Sequence, residues 1–76
     1  MEKKNILGPK IRKARKIANP SISQKDLVAR LQVLGYSIDQ SGISKIENGE
    51  RNLLDFEVKA FAQALKVTPG WLFEDE

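Results

Sequence analysis

Gln40, Ser41, Ser44 and Lys45 are the side chains best placed for chemistry in this 76-residue sequence. Their spacing gathers them on one face of a helix of about residues 40–48, while Ile43 and Ile46, three apart, mark the opposite, inward face. An amide, two hydroxyls and an ammonium are hydrogen-bonding groups, suited to recognition rather than to bond making. Gln carries a donor beside an acceptor, which matches N6 and N7 of adenine, and Lys can donate to O6 and N7 of guanine. Ser is short and works as donor or acceptor. Gly42 between them has no side chain, so the backbone there could approach a ligand closely.

Other chemistries lack their residues. The chain has no Cys and no His, which removes disulfides, thiolate metal sites and the commonest catalytic base together. No carboxylate pair, activated Lys or activated Ser is placed for catalysis, and no ligand spacing suggests a metal. Hence no enzyme, no catalytic residue, no cofactor and no small-molecule substrate is expected. The apolar runs fall far short of the roughly 20 residues that cross a bilayer. Residues 1–20 are basic but lack a signal peptide's apolar stretch and cleavage site, so a cytoplasmic location away from membranes is expected.

Charge is polarised along the chain. Residues 1–20 hold seven Lys/Arg against Glu2 alone, residues 21–52 hold four of each sign, and residues 53–76 hold two Lys against five acids. A basic end suits a polyanionic partner, although a solvated Lys/Arg face on the first helix would give the same pattern. The balance of 41% hydrophobic and 30% charged residues is that of a folded domain rather than a disordered tail.

The elements that would position the polar face are short helices. Pro9 suits the first turn of helix 1, whose Leu7, Ile11, Ala14 and Ala18 share a face, and Asn19-Pro20 stops it. Ser23 with Asp26 three residues on forms a capping box for helix 2. Its buried stripe is Leu27, Val28, Leu31 and Leu34, and Gly35 ends it. Asp39 caps helix 3, Ile38 packs inward just before it, and Asn48-Gly49 closes it. Asp55 caps helix 4, with Val58, Phe61, Ala62 and Leu65 inward. Thr68-Pro69 opens a last short helix holding Trp71, Leu72 and Phe73. Those three close the core or form part of a dimer interface. The expected fold is all-α: one compact five-helix domain over residues 1–76, with 1–6 a flexible basic arm.

With these pieces in order, the sequence resembles the Cro/phage-repressor-type (Xre-like) helix-turn-helix family. The resemblance runs from about Leu7 to Phe73. It is carried by Ile11-Arg12-Lys13-Ala14-Arg15, by Ser23-Gln24 followed by Leu27, by Ile43-Ser44-Lys45-Ile46-Glu47-Asn48-Gly49, and by Phe61-Ala62-Gln63-Ala64-Leu65-Lys66-Val67 leading to Trp71-Leu72. The third piece is the most specific. Two departures stand out. Val28 replaces the small Ala usual there, and five extra residues, among them Leu34 and Tyr36, separate Leu31 from Asp39, which points to about one more turn of helix 2 and a longer connection.

The resemblance implies a phage-repressor-like fold in which helices 2 and 3 form the helix-turn-helix and helix 3 reads the major groove of double-stranded operator DNA. The base readers would be Gln40, Ser41, Ser44 and Lys45. Gln24 and Asn48 would brace phosphates beside them. Ser23 is either a cap alone or a further backbone contact, and Arg51 either reaches the DNA backbone or minor groove or is a solvated loop arginine. The resemblance also implies an ion pair, Arg15 with Glu47, that orients helix 3 without touching DNA. The function expected is that of a transcriptional regulator, a repressor by preference, acting as a homodimer. The competing expectation is a protein-interaction module, an antitoxin or adaptor, with secondary or no DNA binding.

Overall fold

Three of the five helices begin on side chains that accept a backbone N–H, as their sequence positions suggest. The computed structural model describes residues 2–75 and contains α1 (Gly8–Ile17), α2 (Gln24–Val33), α3 (Gln40–Glu47), α4 (Asp55–Leu65) and α5 (Pro69–Phe73), with no strand among the described residues. Ser23 Oγ accepts from Asp26 N–H at 3.0 Å, and Asp26 Oδ2 accepts from Ser23 N–H at 3.2 Å, completing a capping box on α2. These contacts hold the Asp26 carboxyl below its ordinary value. Asp39 Oδ1 accepts from Gly42 N–H at 2.8 Å on α3, and Thr68 Oγ1 from Trp71 N–H at 3.0 Å on α5.

Helices α2, α3 and α4 stop by a shared device. At the end of α2, Tyr36 N–H reaches Leu31 O and Gly35 N–H reaches Gln32 O; at the end of α3, Glu50 N–H reaches Lys45 O and Gly49 N–H reaches Ile46 O. This pair of bonds is a Schellman motif, which needs a left-handed residue. Gly35 (φ 85°) and Gly49 (φ 76°) supply it, and at the end of α4 Lys66 (φ 59°) does so despite its Cβ. Helix α2 continues two residues past Leu31, and residues 34–39 form the connection to α3.

One core joins all five helices. Ile11, Leu27, Leu31, Ile43, Ile46, Phe61 and Leu72 are fully enclosed, and burying a side chain of this size stabilises by about 1.5–3 kcal/mol. Helix α2 packs on both α3 and α4, and α1 reaches α3, α4 and α5. Trp71 is half-buried beneath Lys10, whose ammonium lies 3.8 Å from the ring centroid. Lys10 is thereby held against α5.

Some expectations are corrected. Leu34 is exposed rather than part of the α2 stripe, because the helix has unwound before it, and Val28 is only half-buried. Asp55 does not cap α4. Leu54 holds the N-cap position, its N–H donating to Glu57 Oε1 at 2.8 Å, while Asp55 accepts from the neighbouring Phe56 N–H. Gly42 is buried, not open: a Cβ there would meet Ile38 Cγ1 and Arg51 Nη1 at 2.7 and 2.8 Å. Phe73 stays 56% exposed, so of the last three apolar residues only Leu72 is wholly in the core.

Candidate nucleic-acid interface

The polar edge of α3 is held from behind by a buried ion pair. Arg15 Nε donates to Glu47 Oε2 at 2.6 Å and Nη2 to Oε1 at 2.9 Å, a two-pronged contact between α1 and the last residue of α3. The side chains are only 10% and 3% exposed. Arg15 Nη1 also donates to Ile22 O at 2.9 Å, which ties in the α1–α2 connection. A planar guanidinium suits this geometry, and the parallel bonds fix both position and rotation of the carboxylate.

From Glu47 the hydrogen bonds run outward. Gln24 Nε2 donates to Glu47 Oε1 at 3.1 Å, and Gln40 Nε2 donates to Gln24 Oε1 at 3.4 Å. The first glutamine of α2 thus links the buried pair to the first residue of α3. The resemblance implied a phosphate-bracing Gln24; what the structure shows is this inward role, which its sequence position does not reveal.

The exposed edge of α3 is a ridge between two open depressions. One, of about 540 Å³, is lined by Gln24, Gln40, Ser44 and Asn48; the other, of about 620 Å³, by Lys4, Asp39, Gly42, Arg51 and their neighbours. Ser41, Lys45 and Glu50 border both and so form the crest. The fold therefore brings Gln40, Ser41, Ser44 and Lys45 to one surface, with Gln24 and Asn48 on one flank and Arg51 on the other. Ser23 lines neither depression and serves as the α2 cap. Arg51 is half-buried, with Nη2 4.0 Å from Glu57 Oε2.

Two supporting clusters lie outside the sequence reading. Asn5 is the first. Its Oδ1 accepts from Leu7 and Gly8 N–H at 3.0 and 2.8 Å, and its Nδ2 donates to Ile46 O and Arg51 O at 3.0 and 2.8 Å. One side chain thus serves the free N–H groups starting α1 and a carbonyl ending α3. Lys4 N–H donates to Gly49 O at 2.8 Å and Lys3 Nζ to Asn48 O at 2.8 Å, so residues 3–5 lie along the α3 terminus. The signal for Asn5 was its place just ahead of Gly8-Pro9, a common capping arrangement.

Tyr36 is the second. Its hydroxyl donates to the buried Glu57 Oε2 at 2.5 Å, and its ring meets Phe61 edge-on with centroids 6.1 Å apart. The lengthened α2–α3 connection is therefore fastened to α4. Burial, then the Glu57 hydrogen bond and charge, push the Tyr36 hydroxyl up to about 12 from 10.0. A raised folded value means this contribution is complete below pH 10 and is lost as pH rises toward 12. Tyr36 is the only tyrosine, so ultraviolet titration reads it alone. We expect ionisation near pH 12 in the native protein. Tyr36→Phe should lower stability by about 2 kcal/mol, the range for a hydrogen bond to a charged group, and remove the excess alkaline loss that wild type shows over the variant. A native midpoint near 10 would contradict this.

A Cro/C1-type (Xre-like) helix-turn-helix family model matches residues 11–72. The chain belongs to that helix-turn-helix family. Neither a curated protein nor a solved structure matches it. As a family member it is a DNA-binding helix-turn-helix regulator with an all-helical fold. In this helix-turn-helix protein, no helix among the described residues is long and apolar enough to cross a membrane.

Proposed function

We propose that the chain is a repressor that binds an operator by inserting α3 into the major groove. The observation that carries this reading is the ridge on α3: short polar side chains on an exposed crest whose rear is locked by Arg15 and Glu47. A groove reader needs such a ridge, because base edges lie between two raised phosphate strands. In this reading Gln40, Ser41, Ser44 and Lys45 face bases, and Gln24, Asn48 and Arg51 approach phosphates from the flanking depressions. The Ser23 N–H and hydroxyl acceptor serve the cap, leaving only its hydroxyl proton for a phosphate. The exposed Phe73 supports a homodimer contact. Two copies would place their recognition helices roughly 34–36 Å apart, one turn of the duplex.

Selection of bound sequences from a random duplex pool would give the operator and reveal any two-fold symmetry. On the selected duplex, Gln40→Ala and Lys45→Ala should each lower affinity by about tenfold, the lower end of what one base contact is worth. Unchanged affinity in both would remove α3 as the reader. Phe73 beside Glu74 and Asp75 also fits a protein-interaction surface. Salt separates the two, since phosphate contacts weaken steeply with ionic strength and an apolar interface does not.

A further inference from the structure

The crest of the ridge is not uniformly cationic. Its third member is Glu50, which borders both depressions together with Ser41 and Lys45. The Schellman motif explains its place: Glu50 N–H donates to Lys45 O at 2.8 Å, and Gly49 in its left-handed turn directs the chain back over the helix end. Ser41 and Lys45 are one helical turn apart, and Glu50 lies just past the helix terminus, bordering the same two depressions. The residue is exposed, and among the described residues its carboxylate makes no hydrogen bond and no ion pair. It is therefore neither a structural cap nor a partner of Lys45. An unpaired carboxylate on such a crest meets DNA in two ways. Opposite phosphate it is repelled, whatever the sequence. Opposite the exocyclic amine of cytosine it accepts a hydrogen bond in the major groove.

We propose that Glu50 is a specificity-determining residue, accepting from a cytosine amine at one position of each half-site and weakening binding to duplexes that lack it. The inference rests on α3 being the reader. It assigns the far end of the crest a selective role, while Lys45 supplies attraction. Discrimination then comes from an introduced penalty as well as from a favourable contact.

The test compares the full chain with Glu50→Gln and Glu50→Ala. Only the Glu50 backbone is used in the fold, so both variants should fold as wild type does, checked by thermal unfolding. Affinity is measured for a random-sequence duplex and for the best duplex recovered with wild type, at one fixed salt concentration. Both variants should bind the random duplex about threefold to tenfold more tightly, and the ratio of specific to random affinity should fall by about tenfold for Glu50→Ala. Selection repeated with Glu50→Ala should lose a cytosine preference at one position of each half-site. A wild-type preference kept unchanged in Glu50→Ala, or unaltered affinity for the random duplex, overturns the role of Glu50 alone. A wild type with no preference among duplexes overturns the reading of α3 beneath it.

Discussion

Arg15→Ala and Glu47→Ala should each destabilise the domain by about 3–5 kcal/mol, the cost of leaving one charge of a buried pair without its partner. A domain of this length has a total stability of roughly 4–11 kcal/mol, so either variant could be substantially unfolded at 37 °C. The loss reflects isolation more than attraction. In Arg15→Ala, Glu47 keeps only the Gln24 amide; in Glu47→Ala, Arg15 keeps only Ile22 O. The double variant Arg15→Met with Glu47→Leu should therefore lose less than either single variant, because no charge is left buried. Urea denaturation of the four proteins measures this directly. Additive losses would show that the pair does not act as a unit. High salt should change the wild-type value little, since a pair this enclosed is poorly screened.

Gly8→Ala should destabilise the domain by about 3 kcal/mol, at the upper end of overpacking costs. Helix propensity argues the opposite: Ala favours a helix over Gly by about 1 kcal/mol. The structure decides between them. A Cβ on residue 8 would press on Ile46 O and stand 2.6 Å from Glu47 O, and both obstacles are backbone at the end of α3. Neither can move without disturbing the Asn5 bond to Ile46 O or the Arg15 contact with Glu47. The expected fall in Tm is about 12–24 °C, given roughly 4–8 °C per kcal/mol for a domain of this size. A rise in Tm would mean that α1 shifts freely at its start. It would also mean that the α1–α3 contact is looser than the Asn5 bonds suggest.

The parts of this molecule legible in its sequence were those fixed by local chemistry. Ser23, Asp39 and Thr68 announce caps because a short acceptor before a helix serves its first N–H groups. Gly35 and Gly49 announce stops, and the 3.6-residue period identifies Ile43, Ile46, Phe61 and Leu65 as core. The Arg15–Glu47 pairing was accessible only through the family resemblance, because 32 residues separate the partners. What escaped were contacts whose two ends are distant and whose residue types look ordinary. Asn5 reads as part of a polar tail until the end of α3 is brought beside it. Gly8 reads as a weak helix former until the same approach makes its missing side chain necessary. Glu57 reads as a surface acid on α4, yet Leu54 N–H and Tyr36 draw it inside. Asp55 lost the cap for that reason. The helical period carries the apolar stripe on to Leu34, but α2 ends at Val33, one residue short of it.

The chain of hydrogen bonds from Glu47 through Gln24 to Gln40 also has a direction. A carboxylate can only accept, so Gln24 must turn its NH₂ inward and its oxygen outward. That oxygen in turn accepts a hydrogen bond from the Gln40 amide, whose own oxygen is left facing away from the network. The orientation of an amide on the protein surface is thus dictated by a negative charge in the interior. Gln40 retains one free N–H and an unused acceptor, the pair of groups an adenine edge requires. Were the root of the chain neutral and reversible, as in Glu47→Gln, both amides could rotate together. The surface would then present either of two hydrogen-bonding patterns to the same base.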